Sequence, residues 1–224
     1  MARYTYAVSD LHGQFSALKE MLQKIDFKDE DEMYILGDVI DRGPESIECV
    51  QWIMEQDNVL TLLGNHELLF ADQFLHETEG IYNTIEEARK RLAKSEIQKM
   101  ADWMMNLPEC KLIHVNHRCF YLNHTQAVNR EYFKEELTDR LFPAPSVYQN
   151  YYERQTEKVI SIHGHIPVMQ MRLWNGQNVS SRIWKNRHSC IIDIDCGAGY
   201  PGQGGCLGCL RLNDFREFYV KNLK

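Results

Sequence analysis

The chain has 224 residues, 44% hydrophobic and 25% charged, which is enough for one domain with a full mixed core. A formal net charge of −7 gives no basic footprint for nucleic acid, and no apolar run approaches the roughly 18 residues of a membrane span. The stretch "MARYTYAVSD" lacks a secretory pattern, so a cytoplasmic location is expected, with neither nucleic acid nor membrane as partner.

In chain order, a short apolar strand over 4–9 runs into "DLHGQFSAL", and Phe15, Leu18, Met21, Leu22 and Ile25 then repeat at the spacing of a helix over 14–25. A strand at 33–36, a helix at 44–56, a strand at 59–63 and a helix at 66–76 continue the alternation, which predicts an α/β architecture. Residues 82–107 are rich in helix formers and end at Leu107-Pro108, so they read as a helical, cap-like excursion over one end of the sheet. "KLIHVNHRCFYLNH" reads as a β-hairpin turning at Asn116-His117. Helices are expected at 130–141 and 147–156, then strands at 158–162, 190–195, 206–212 and 215–220. No repeat or linker divides the sequence, so 1–224 reads as a single domain, with two sheets between helices.

Seven scattered cysteines are expected to be reduced, mostly as small core residues. Cys206 and Cys209 form a C-x-x-C with no second pair, and the alternation around them favours strand thiols over a zinc site.

Five strand ends deliver oxygen or imidazole groups, most of them beside a glycine that permits a sharp turn. They are Asp10 and His12 in "DLHG", Asp38, Asp41 and Arg42 in "GDVIDRG", and Asn65, His66 and Glu67 in "GNHE". His124 in "YLNHTQ" and His163 and His165 in "SIHGHIPV" complete the set. Any one of them has a plain reading as a helix cap or a hydrogen-bonded core histidine. Independent caps have no reason to recur in this combination. Mixed carboxylate, amide and imidazole donors suit manganese, iron or zinc better than calcium or magnesium, and they outnumber what one ion needs. Two divalent ions are therefore expected, with manganese preferred and iron or zinc as alternatives. Two ions sharing a carboxylate can activate water for attack on a phosphate ester.

These motifs resemble those of the phosphoprotein-phosphatase branch of the calcineurin-like metallophosphoesterases. That branch includes bacterial and phage Ser/Thr phosphatases and is related to the symmetrical diadenosine tetraphosphatases. The resemblance runs from Asp10 to about Leu212 and implies a four-layer αββα sandwich of mixed sheets. It further implies that Asp10 and His12 hold one metal, that Asp38 bridges both, and that Asn65, His124 and His163 complete the ligands of the second metal. His165 matches a first-metal histidine of the wider metallophosphoesterases. His66 matches the catalytic histidine, Asp41 its carboxylate partner, and Arg42 a phosphate-holding arginine. A second such arginine is assigned to Arg140, with Arg154 its rival. The family usually has Ala-Gly after the hairpin histidine, whereas this chain has Thr125-Gln126. The "GAGYPGQGG" segment at 197–205 reads as a rim loop, with Tyr200 near substrate.

Three functions fit to different degrees. The first is a metal-dependent phosphomonoester hydrolase, a Ser/Thr phosphoprotein phosphatase using a metal-bridging hydroxide. The second is a symmetrical diadenosine tetraphosphatase or other nucleotide phosphohydrolase on the same centre. The third, a binding module without catalysis, is opposed by the intact ligand set. One or two arginines suffice for a single phosphoryl group, while a tetraphosphate asks for more cations, so a phosphorylated protein or small phosphoester is the expected partner.

Overall fold

The computed structural model describes residues 3–79, 82–125, 159–186 and 189–221. Its first half alternates as the periodicity predicts: β1 (Thr5–Val8), α1 (Phe15–Ile25), β2 (Glu32–Ile35), α2 (Ser46–Met54), β3 (Val59–Thr61) and α3 (Asn65–Leu75). Then come α4 (Asn83–Arg91), α5 (Lys94–Met105) and the hairpin of β4 (Cys110–Val115) and β5 (Arg118–Asn123). After the described stretch resumes, β6 (Ile160–His163), α6 (Val168–Trp174), β7 (Trp184–Lys185), β8 (Ile191–Asp193), β9 (Leu207–Arg211) and β10 (Arg216–Val220) follow. Neither α6 nor β7 is expected from the sequence pattern. The helices expected at 130–141 and 147–156, and with them Arg140 and Arg154, lie outside the described residues.

Two five-stranded mixed sheets result, ordered β10-β9-β1-β2-β3 and β4-β5-β6-β8-β7. In the first, β1, β2 and β3 run parallel and β9 joins β1 antiparallel. In the second, β5, β6 and β8 run parallel, flanked by the antiparallel β4 and β7.

Strand alternation decides which side each apolar residue faces. Tyr6, Val8, Met33 and Ile35 pack on the helical side with Leu18 and Met21 of α1 and Ile47 and Val50 of α2. Ala7, Tyr34 and Leu36 instead face Phe120, Leu122, Ile162 and Ile192 of the second sheet. Outside that sheet, Val168 and Met171 of α6 cover Trp184 and Ile191. Helix, sheet, sheet and helix thus form the layered sandwich of this architecture. The same alternation sends Cys206 into the intersheet cluster and Cys209 to the helical side. The C-x-x-C residues therefore lie on opposite sides of the first sheet and cannot share a zinc ion.

The excursion after α3 belongs to the helical layer. Ile85 and Ala88 of α4 and Ile97, Met100, Ala101 and Met104 of α5 are buried in the same cluster as α1–α3. The first turn of α4 reaches the strand ends where the polar motifs collect, through Asn83 and Thr84.

Candidate active site

The parallel strands β1, β2 and β3 end side by side, and the loops after β1 and β2 are laced by backbone hydrogen bonds. Asp10 N–H donates to the Gly37 carbonyl at 3.1 Å, His12 N–H to Asp38 at 2.9 Å, and Gly43 N–H back to His12 at 3.0 Å. The lacing holds unusual backbone. Asp10, His12, Asp38, Asp41, Arg42 and His165 all have positive φ, between 45° and 74°. Residues with side chains enter this left-handed region at some energetic cost, and such residues cluster at functional sites. Here the turn aims each side chain into the space beyond the sheets instead of along the strand.

Two groups of donor atoms converge there: His12, Asp38 and His66, and Asp38, His124 and His165, each with ligand atoms within 4.8 Å of one another. Asp38 belongs to both. Its Oδ2 lies 3.8 Å from His12 Nε2 and 3.8 Å from His66 Nε2, and its Oδ1 lies 3.3 Å from His124 Nε2. Asn65 Oδ1 adds an oxygen 3.0 Å from His124 Nε2 and 2.9 Å from His165 Nδ1. Asp10 Oδ1 sits 4.0 Å from His12 Nε2, and both Asp10 oxygens accept the His165 backbone N–H.

The second ring nitrogens fit a metal. His12 Nδ1 donates to the Ile40 carbonyl at 2.9 Å and His124 Nδ1 to the Leu36 carbonyl at 2.6 Å, which leaves each Nε2 facing the shared carboxylate. A metal-binding histidine is commonly fixed in this way by its other nitrogen. Burial lowers His12 and His165 to about 3, so both are neutral, as ligation requires. Burial also acts against charge on His124, but Asp38 and Asp10 outweigh it and lift that imidazole to about 10. The field at this point favours positive charge, which divalent cations would supply.

His66 is built differently. Its Nδ1 donates to Asp41 Oδ2 at 2.7 Å, and its Nε2 lies 3.5 Å from Arg42 Nη2. Burial works against its charge, but Asp38 and Asp41 together raise its pKa above the usual value. A protonated imidazole held by a carboxylate can give a proton to a leaving oxygen. Arg42 Nη1 donates to His12 Nε2 at 2.7 Å, and the guanidinium lies over the Tyr200 ring at 4.6 Å. Its planar fork is suited to two phosphate oxygens.

Asp10, His12, Asp38, Asp41, Arg42, Asn65, His66 and His124 therefore come together, but His163 does not stand in either donor cluster. Ile162 faces the intersheet core, and His163, one residue on, turns to the other face of β6 beside Asp193 of β8. The chain then folds back, and at φ 74° His165 carries its ring next to that of His124, with centroids 5.1 Å apart. Gly164 is required for this turn: a Cβ there would fall 1.9 Å from Ser9 Oγ and 2.1 Å from Asp10 Oδ2.

Two further acids acquire a role only in the structure. Glu67 is fully buried and accepts backbone N–H groups from Asp38 at 2.9 Å, Val39 at 2.8 Å and Gly64 at 3.0 Å. Its place after Asn-His in "GNHE" was the available signal. Asp195 accepts the Gly197 N–H at 2.9 Å, and burial, with Asp10 nearby, holds its carboxyl well above the usual range. The rim loop it anchors approaches closely, since a Cβ on Gly199 would lie 2.5 Å from His12 Cδ2.

Paired sheets whose strand ends converge on two carboxylate-linked donor clusters define a metal-dependent phosphoesterase class. The match to the calcineurin-like phosphoesterase family extends over residues 4–194, and the chain belongs to that family. Among its relatives is "Bis(5'-nucleosyl)-tetraphosphatase, symmetrical" of Actinobacillus succinogenes, 33% identical over 124 residues, covering 54% of this chain and 43% of the relative. The protein of the same name from Chromobacterium violaceum is 40% identical over 65 residues, 28% of this chain and 24% of the relative. The matches thus span less than half the length of these curated relatives. Among solved structures, one provisionally named a diadenosine tetraphosphatase superposes with a TM-score of 0.68 at 13% identity, over 97% of this chain and 93% of its own. A Saccharomyces cerevisiae protein serine/threonine phosphatase gives 0.64 at 16% identity, over 95% of this chain and 73% of its own. At such identities the likeness is one of fold.

Proposed function

We propose that this chain hydrolyses phosphoric anhydrides of the dinucleoside tetraphosphate class, at a centre built from Asp10, His12, Asp38, Asn65, His124 and His165. The observation that carries the chemistry is Asp38, whose two oxygens face different donor clusters, with the His66–Asp41 pair beside them. The substrate class is supported by the sequence relatives, which are named symmetrical bis(5'-nucleosyl)-tetraphosphatases. They favour it over the phosphoserine reading, which rested on the acidic balance of the chain and the few arginines expected at the site. Net charge sums the whole surface, while substrate choice turns on a few groups beside the scissile bond.

Two divalent cations in these clusters would neutralise phosphate charge and make water a stronger nucleophile. Arg42 holds phosphate oxygens and orients phosphorus for in-line attack. His66, protonated and aligned by Asp41, donates from Nε2 to the leaving oxygen. Asp10 fixes the turn at His165 by accepting its N–H. Glu67 fixes the loop bearing Asp38.

A second reading, phosphomonoester hydrolysis, is favoured by one observation. Among the described residues, Arg42 is the only arginine or lysine hydrogen-bonded to a site side chain. The test is a manganese-supplemented comparison of kcat/KM for diadenosine tetraphosphate, a phosphoserine peptide and p-nitrophenyl phosphate. An advantage of the dinucleotide is expected. A clear preference for the peptide overturns the substrate assignment and leaves the second reading in place. No turnover of any of the three overturns both.

A further inference from the structure

We propose that Thr84, in the first turn of α4, is a positioning residue for the His66–Asp41 acid, an assignment that rests on the phosphohydrolase reading above. Asp41 and Arg42 are consecutive residues with φ of 70° and 69°, so the segment that aims them needs outside support. Thr84 grips Asp41 at both ends. Its Oγ1 accepts the Asp41 backbone N–H at 3.0 Å, and its own N–H donates to Asp41 Oδ1 at 3.2 Å. The other carboxylate oxygen, Oδ2, is the one that receives the His66 Nδ1 proton at 2.7 Å. The orientation of the imidazole therefore passes through a residue 43 positions from Asp41 in sequence.

Three features make this more than a helix start. Thr84 is fully buried, with 0% of its surface exposed. A hydroxyl in a first helical turn usually serves its own helix or solvent, whereas this one is used by a separate loop. The N–H groups at a helix start lack partners within the helix, and the positive helix end favours a carboxylate there. The neighbours act on the same assembly: Asn83 Oδ1 accepts the Arg42 N–H at 3.1 Å, and the Tyr82 ring lies 4.3 Å from that of His66. Ser46 Oγ shares the Asp41 N–H at 2.9 Å, so removing the threonine hydroxyl loosens Asp41 without stripping it of every tie.

The experiment compares Thr84→Val, Thr84→Ala and Thr84→Ser in the manganese-supplemented protein. Its substrates are phenyl phosphate, a poor leaving group, and p-nitrophenyl phosphate, a good one. A misaligned acid is expected to lower kcat for phenyl phosphate by about tenfold, within the range of general acid contributions. The loss for p-nitrophenyl phosphate should be about twofold or less, with KM and metal content unchanged and Thr84→Ser restoring the rate. A second readout does not need turnover: with zinc bound, the His66 Nδ1 proton should exchange faster with solvent in the valine and alanine variants by NMR, but not in the serine variant. Equal losses on both substrates, unchanged kcat in folded variants, or no rescue by serine overturn the positioning role. If the wild type hydrolyses neither ester nor the dinucleotide, the phosphohydrolase reading fails. Unchanged exchange at His66 in Thr84→Ala would then overturn this assignment separately.

Discussion

The centre is assembled from two regions that reach it by different routes. The loops after β1, β2 and β3 deliver Asp10, His12, Asp38, Asp41, Arg42, Asn65 and His66 from three adjacent parallel strands. The loops after β5, β6 and β8 deliver His124, His165 and Asp195 from the facing sheet. In the first region the β1 loop is bonded backbone to backbone to the β2 loop, and the Glu67 and Asp38 side chains tie the β2 loop to the start of α3. In the second, backbone bonds also join neighbouring loops, Gly164 N–H to the His124 carbonyl and Val168 N–H to that of Asp195, but each loop contributes one principal group, and the turn at His165 depends on a contact from the first sheet, Asp10 accepting its N–H. Ligand identity is thus a local property in one region and a tertiary property in the other.

The sharpest way to break this division is at the residue common to both. Asp38→Asn removes a charge seen by His12, His66 and His124 together, and we expect loss of both metals and of turnover to background. Elemental analysis checks this, and full metal occupancy in the variant would contradict the shared role. His66→Asn acts within the first region alone. It should keep both metals yet lose about 10²–10⁴-fold in rate on poor leaving groups, less on p-nitrophenyl phosphate; steady-state rates on a leaving-group series decide this.

A paired substitution sharpens the second region. His165→Ala should lower metal stoichiometry from two toward one, whereas His163→Ala should retain two metals and lose chiefly stability. Calorimetric metal titration of the two variants distinguishes them, and the reverse order would return the ligand role to His163. A milder test is the rim loop. Gly199→Ala brings a methyl against His12 Cδ2 and within 2.9 Å of Arg42 Nη1, so overpacking of about 1–3 kcal/mol should appear as a raised KM.

The smallest effect is expected at the surface tie between α2 and α4, where Glu48 pairs with Arg91. The hydrogen bond from Arg91 holds Glu48 below its ordinary pKa. Its contribution is therefore complete above the unfolded value and lost as pH falls through the folded one. Because both groups are substantially exposed, solvent screening limits this to about 1 kcal/mol or less. Arg91→Ala should lower Tm slightly at pH 7 and not at all near pH 2, measured by thermal denaturation.

Most of the first region was legible in the sequence because its ligands sit in short glycine-punctuated motifs at the ends of apolar strands. Of the Glu67 bonds only the one to Gly64, three residues back, is local; those to Asp38 and Val39 span 29 and 28 positions and needed the fold. The choice between His163 and His165 was not legible, because both flank the same glycine. Only the face set by Ile162 and the left-handed turn at His165 decides which ring enters. Thr84 escaped for a similar reason: it lies in a polar helical run and acquires its role only when α4 packs beside the β2 loop. The stretch holding α6 and β7 has short elements and little periodicity, so its placement depends on Met171 and Trp184 meeting outside the second sheet.

Glu67 carries a consequence for how the centre is loaded. One carboxylate draws on backbone donors from both the β2 loop and the start of α3, riveting two ligand-bearing segments into a single rigid piece. Ions then enter a cradle whose ordering cost was met during folding, so loading needs little backbone rearrangement there. Glu67→Gln, which swaps one acceptor oxygen for a donor facing a backbone donor, would make the cradle assemble around its cargo, with slower metal uptake as the visible trace.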